Sequence, residues 1–265
     1  MKFYIVALFF IFAISSRGQN AALDHLYESA PKASSREMAQ KKLADFVAMQ
    51  VRKKETAKSE AQFLGRMVKG VHAAFLRFYK PYAQINEPFE TGSYDCLTGT
   101  AVFSLVLTEL GIRHQIIETN YHIFLTIEGK DQKYLLETTD KLFGLKSQPS
   151  EINTSLAHYK QNKLPAMSTG SHYYLFKKDL FRAVVASNLR GLLHFNQAVV
   201  AFNNHQLSLC VNQLVLAKEN NDNPRIHELA ELVSNTIALS ILSDKEKYVL
   251  LTRLDDFLQP VLASR

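Results

Sequence analysis

The spacing of apolar residues predicts that the first third of the chain is mainly helical. Apolar side chains recur at helical intervals over residues 36–58 and again over 60–79, so we expect one helix in each range. Pro81 ends the second helix, because proline cannot continue the helical hydrogen-bond pattern. Residues 81–94, which contain proline and glycine, are expected to form a loop.

A further helix is predicted over residues 95–110, and its pattern differs from that of the first two. Apolar side chains cover every side of this segment, and Gly111 then provides a C-terminal stop. A helix that is apolar all round is buried in a protein core, so this segment is expected to lie inside the fold.

Short runs of β-branched and aromatic residues predict three strands after this helix, over residues 114–119, 122–128 and 133–138. The pattern then fades into a loop-rich stretch that reaches residue 170. From about residue 172 the chain is expected to be entirely helical. The expected helices cover residues 176–187, 189–203, 206–219, 224–241 and 244–258.

The hydrophobic pattern also indicates how the second and third strands pair. The loop between them is expected to hold an even number of residues, because only then do the apolar positions of both strands share a face. Gly129-Lys130 would serve as a two-residue loop in a type II′ turn. His122 would then lie directly opposite Glu137, with Cβ atoms about 5 Å apart. The shared apolar face would carry Ile123, Leu125, Ile127, Tyr134 and Leu136.

Composition and charge narrow the classes of function. The chain is 47% hydrophobic and 21% charged, which is ordinary for a globular protein of 265 residues. Its net charge of +6 comes from scattered Lys and Arg, which form no basic strip with aromatic residues. The sequence has no zinc-ligand spacing and no glycine-rich phosphate loop. No metal, cofactor or nucleic-acid partner is therefore expected.

The N-terminal sequence is typical of an export signal. Lys2 precedes an apolar run, Phe3 to Ile14, whose 12 residues are too short to span a bilayer comfortably. A small polar stretch follows, and cleavage is expected near Gln19; the alternative is a membrane anchor. No later segment reaches the length of a membrane span. The mature protein is therefore expected to be periplasmic or secreted, with no integral membrane segment.

Export makes the two cysteines informative, because a disulfide between Cys96 and Cys210 would be stable outside the cytoplasm. The alternative is a functional thiol at Cys96, which begins the apolar helix. The N-terminus of a helix favours a thiolate, although the carboxylate of Asp95, the expected N-cap, would oppose ionisation.

A nucleophilic thiol needs a base, and the base needs a group that orients it. His122, at the start of a strand, is the leading candidate base. Glu137 and Asp140 are the candidate orienting acids. Strand geometry favours Glu137, which shares a face with His122, whereas Asp140 falls on the other face unless the strand has ended.

Three segments together resemble a known family: YDCLTGTAVFSLVLTELGI (94–112), NYHIFLTIEG (120–129) and YLLETTD (134–140). They are similar to the bacterial transglutaminase-like branch of the papain-like cysteine peptidase superfamily. The resemblance covers about residues 60–143, including HAAFLRFYKPYA (72–83). It implies an α+β fold in which a central helix packs on an antiparallel sheet.

The resemblance implies that Cys96 is the nucleophile, His122 the general base and Glu137 the group that orients His122. Glu137 departs from the commoner aspartate, so Asp140 stays a rival. The implied activity is thiol acyl transfer, with peptide or amide hydrolysis favoured over crosslinking; the alternative is an inactive protein-binding module of the same fold. The oxyanion donors would be the Cys96 N–H and one further group, with candidates Tyr94, Gln84 and Asn86.

The C-terminal helices carry a weaker resemblance. Residues 193–224 are similar to one degenerate tetratricopeptide repeat, in which Cys210 would be a small core residue. These helices are expected to pack on a neighbour and to offer a surface to a protein partner. The predicted division is a signal peptide (1–19), an N-terminal helical segment (20–59), a transglutaminase-like core (60–165) and a helical, tetratricopeptide-like domain (166–265).

Overall fold

The computed structural model describes residues 21–32, 34–161 and 180–258. The predicted signal peptide lies outside these residues. The chain divides into two compact units, the first made of residues 1–163 with 181–187 and the second of 164–180 with 188–265. Among the described residues, no helix has both the length and the apolar character that a membrane crossing requires.

The first unit is an α+β fold, and its helices largely follow the hydrophobic pattern. The second predicted helix ends at Ala74 instead of at residue 79, because the chain then extends into strand β1 (Phe78–Tyr79). This strand pairs in parallel with β2 (Ser93–Tyr94), inside the predicted loop. The helices are α1 (21–27), α2 (Arg36–Glu55), α3 (Glu60–Ala74), α4 (Glu87–Glu90), α5 (Cys96–Glu109) and α6 (Pro149–Lys160).

An antiparallel five-stranded sheet, ordered β6-β5-β4-β3-β7, forms the centre of this unit. The predicted helix over 176–187 is wrong over its described part, because β7 pairs there with β3 and the sheet overrides helical propensity. The loop predicted up to residue 170 is also wrong, since β6 and α6 occupy part of it. The strands are β3 (His114–Thr119), β4 (Ile123–Glu128), β5 (Lys133–Leu136), β6 (Leu145–Lys146) and β7 (Phe181–Val184).

The pairing of β4 with β5 confirms the predicted face and corrects the predicted loop. Leu125 lies opposite Leu136, so the apolar positions of both strands share one side, as the parity argument requires. Glu128 pairs with Lys133, which makes the loop four residues long instead of two. Helix α6 packs against the other face, where its apolar side chains meet a cluster of Ile117, Phe124 and Leu135.

The second unit is helical throughout its described elements. Cys210 is fully buried in one of these helices and is a free thiol. The helix predicted over 244–258 is broken at residues 253–254, so it forms two shorter helices. The helices are α7 (Leu189–Asn203), α8 (Leu207–Asn220), α9 (Pro224–Leu239), α10 (Asp244–Thr252) and α11 (Asp255–Leu258).

Candidate active site

Cys96 is the first residue of α5, and a reciprocal capping box fixes its position. Asp95 is the N-cap, and its side chain accepts a hydrogen bond from the Thr98 N–H at 2.8 Å. The Thr98 hydroxyl in turn accepts from the Asp95 N–H at 2.9 Å. The thiol is therefore held at the helix N-terminus, where the free N–H groups and the helix dipole favour a negative charge.

The carboxylate of Asp95, the residue before Cys96, is itself buried. Burial raises its pKa to about 6, although hydrogen bonds from the Thr98 and Leu97 backbone act in the opposite direction. Within the described part of the chain, no group accepts the N–H of Cys96. This N–H is therefore free to donate to a ligand atom next to the sulfur.

His122 stands at the entrance to β4, where a short turn fixes its backbone. The Thr119 N–H donates to the His122 carbonyl at 2.8 Å, and the His122 N–H donates to the Thr119 hydroxyl at 3.1 Å. These two bonds fix the backbone from which the imidazole projects.

The His122 imidazole contacts both the thiol and the acid that the sequence singles out. Nε2 hydrogen-bonds to Oε2 of Glu137, and the Cys96 thiol is a further hydrogen-bond partner of the ring. Burial lowers the pKa of His122, but the bonds and negative charges of Cys96 and Glu137 outweigh burial and raise it. Both cysteines are free, so the disulfide alternative is wrong.

Glu137, and not Asp140, is the acid paired with this imidazole. Its Oε2 also accepts from the Tyr159 hydroxyl at 2.8 Å, and its Oε1 accepts from the N–H and the hydroxyl of Thr139 at 3.0 and 2.6 Å. Burial raises the pKa of Glu137, but the bonds from His122 and Thr139 hold it below its ordinary value. Asp140 instead closes a turn by accepting from the N–H groups of residues 142 and 143.

Threonine hydroxyls join the start of α5 to the end of β5, and sequence reasoning missed them. The Thr138 hydroxyl donates to the Cys96 carbonyl at 3.3 Å and lies 3.4 Å from the hydroxyl of Thr100. Gly99 allows this approach, because a Cβ there would lie 3.1 Å from Thr138 Oγ1 and 3.2 Å from Tyr94 Cδ2. The helix bearing the thiol is therefore fixed directly to the segment bearing Glu137.

The three residues predicted as candidate oxyanion donors have different surroundings in the structure. The Asn86 amide nitrogen is occupied by Glu90 at 2.7 Å, and Gln84 lies in the segment just before α4. Tyr94 is buried, and its ring meets the ring of Tyr79 edge-on. Tyr79 itself is 60% exposed; partial burial of its hydroxyl and then the charge of the nearby Cys96 raise its pKa to about 12, so the hydroxyl stays a donor at neutral pH. Sequence patterns gave no signal for Tyr79.

Comparison of the chain with models of protein families, with curated proteins and with solved structures found no match. Across the described residues, no group of three or more His, Cys, Asp or Glu side chains is arranged to hold a metal ion. The chemistry available to the site is therefore inferred from its own side chains. They comprise a thiol at a helix N-terminus, an imidazole in contact with it and a carboxylate that holds the imidazole.

Proposed function

We propose that this chain is an exported thiol acyl-transfer enzyme of the transglutaminase-like type, acting as a peptide or amide hydrolase. The observation that carries the proposal is the contact of the His122 imidazole with both the Cys96 thiol and the Glu137 carboxylate. A nucleophile, a base and a group that orients the base are the parts that thiol catalysis needs. The α+β fold and the export signal predicted from the sequence are consistent with this assignment.

In the acylation step, the Cys96 sulfur bonds to the carbonyl carbon of an amide, and His122 holds the thiol proton. The carbonyl oxygen becomes negative, and the free Cys96 N–H stabilises it, with the Tyr79 hydroxyl as a candidate second donor. When the C–N bond breaks, the imidazolium gives its proton to the leaving amine. Glu137 keeps the ring oriented and stabilises its positive charge throughout.

In the deacylation step, water attacks the thioester carbon while His122 takes a proton from the water. The C–S bond breaks, a carboxylic acid leaves, and the proton returns to sulfur. An amine in place of water would give transfer instead of hydrolysis. We favour hydrolysis because water is always available at a site whose cysteine is partly exposed.

One observation favours the second candidate, a protein-binding module that keeps the fold without turnover. Asp95, the residue before Cys96, carries a buried carboxylate that is charged above about pH 6, and a negative charge there gives no help to an anionic nucleophile. In such a module the pairing of Cys96 with His122 would be retained only for structural reasons.

The reactivity of Cys96 toward iodoacetamide at about pH 6 separates the two functions. An enzyme is expected to react far faster than a model thiol peptide, to lose the reaction in Cys96→Ala and to be strongly slowed in His122→Ala. Cys210→Ala is the matched control. Cys210 is buried and burial raises its pKa to about 12, so its replacement should leave the rate of alkylation by iodoacetamide unchanged.

Turnover is tested by incubating the protein with a peptide mixture and detecting new amino termini by mass spectrometry. New termini that depend on Cys96 and His122 are expected for the hydrolase. A wild-type thiol no more reactive than the model peptide, together with no cleavage, would overturn the enzyme assignment in favour of the binding module.

A further inference from the structure

Tyr159 on α6 contacts two members of the candidate triad. Its hydroxyl donates to Oε2 of Glu137 at 2.8 Å, which is the oxygen that His122 also engages. Its ring lies 5.3 Å from the imidazole of His122 and stacks on Phe124 at 4.6 Å, with an interplanar angle of 27°. One side chain therefore bonds the acid and covers one side of the base.

Apolar packing holds Tyr159 in this place independently of its hydroxyl. Together with Ile152 and Leu156, Tyr159 packs against the apolar cluster on the face of the sheet that α6 covers. The hydroxyl can therefore be removed while the packing of the helix is retained.

We propose that Tyr159 is a positioning residue that sets the strength of the bond between His122 and Glu137, through the hydroxyl that it donates to the shared oxygen. This inference rests on the function proposed above and extends it to a residue outside the triad. It assigns to α6 a role in the chemistry of the site in addition to covering the sheet.

The physical basis is the sharing of one carboxylate oxygen by two donors. A hydrogen bond from a neutral hydroxyl withdraws negative charge from Oε2, so the oxygen attracts the imidazolium less strongly than it would alone. Removal of the hydroxyl concentrates that charge on the bond to His122. The titratable and charged groups facing the pair are Cys96 from α5, Tyr94 from β2, Asp140 from the turn after β5 and Tyr159 from α6, with His158 against Tyr159 itself.

The test is a pH titration of His122 in wild type and in Tyr159→Phe. The titration is monitored by NMR on protein with ¹⁵N-labelled histidine. The resonance is assigned by its absence in His122→Ala. Tyr134→Phe is the matched control, because it removes a hydroxyl from a buried tyrosine on the opposite face of the same sheet. Phenylalanine keeps the ring in both variants, so both are expected to fold.

We expect Tyr159→Phe to shift the His122 titration to higher pH by about half a unit or more, and Tyr134→Phe to leave it unchanged. The alkaline limb of thiol-dependent cleavage should move in the same direction. No shift, a shift to lower pH, or an equal shift in both variants would overturn the role of Tyr159. The NMR readout needs no turnover, so an inactive wild type would refute the proposed function while the titration still decides the role of Tyr159.

Discussion

Replacing Glu137 with glutamine removes the charge of the acid and keeps its length. Each carboxylate oxygen accepts two hydrogen bonds, so either orientation of the amide points its NH₂ group at existing donors. The less costly orientation points the amide oxygen at His122 and Tyr159 and the NH₂ group at Thr139. The Thr139 hydroxyl can rotate to accept, but the Thr139 N–H loses its acceptor.

The cost of Glu137→Gln follows from these losses. A buried N–H left without an acceptor costs about 1–3 kcal/mol, and breaking a buried ion pair costs about 3–5 kcal/mol. The His122 and Glu137 side chains keep 21% and 11% of their exposure, and glutamine still accepts a bond from the imidazole. We therefore expect a loss of about 2–3 kcal/mol in the free energy of unfolding near pH 5.5.

This loss should depend on pH in a defined direction. The folded pKa of His122 is raised, so its contribution is complete below its ordinary value of 6.5 and is lost as pH rises through the folded value. The folded pKa of Glu137 is lowered, so its contribution is complete above 4.5 and is lost as pH falls through the folded value. The difference in the free energy of unfolding between wild type and Glu137→Gln should therefore be largest between pH 4.5 and pH 6.5.

Urea denaturation measures this difference at about pH 5.5, where it should be largest, and at about pH 9, where part of the His122 contribution should be lost. Glu128→Gln is the matched control, because Glu128 lies on the neighbouring strand in an exposed pair with Arg113 and should change stability by less than about 1 kcal/mol. A Glu137→Gln loss that is the same at both pH values would refute the assignment of a charged pair.

Two further substitutions test the start of α5. Gly99→Ala gains about 1 kcal/mol in helix propensity but crowds Thr138, at a cost of about 1–3 kcal/mol. Gly65→Ala is the control, because a Cβ at Gly65 would meet no atom within 4 Å and the variant therefore has the gain in helix propensity without crowding. Equal stabilisation of both variants in urea denaturation would contradict the crowding at Gly99. Asp95→Asn keeps an N-cap oxygen but removes the charge beside Cys96, so alkylation above about pH 6 should be severalfold faster. An unchanged iodoacetamide rate would show that Asp95 does not oppose the thiolate.

Much of the candidate site could be predicted because strand periodicity is strict. Apolar residues at alternate positions fix which face each strand buries, and that parity placed His122 and Glu137 on one side of the sheet. The helix start at Cys96 was predicted from the Asp95 cap and the change to an apolar pattern. The length of the hairpin loop could not be predicted, since loops of two and four residues satisfy the same parity.

Helix α6 was missed although its signal is present in the sequence. Ile152, Leu156 and Tyr159 recur at helical spacing after Pro149, which lies at the first helical position. Polar residues with weak helix propensity surround them, so the segment resembles a loop when it is considered alone. Its stability comes from packing on the sheet, which a local pattern does not reveal.

The longer hairpin loop also gives a physical reason for glutamate as the third member of the candidate triad. With Leu125 opposite Leu136, continuing the register places Phe124 opposite Glu137, so His122 is the diagonal neighbour of the acid instead of its direct partner. Diagonal residues on one face of a sheet lie about 7–8 Å apart, against about 5 Å for opposed residues. An aspartate would suit the direct position, whereas the extra methylene of Glu137 lets its carboxylate reach the imidazole across the diagonal. The longer side chain of Glu137 is thus matched by the two additional residues of the loop, and together they let the carboxylate hold the ring of His122.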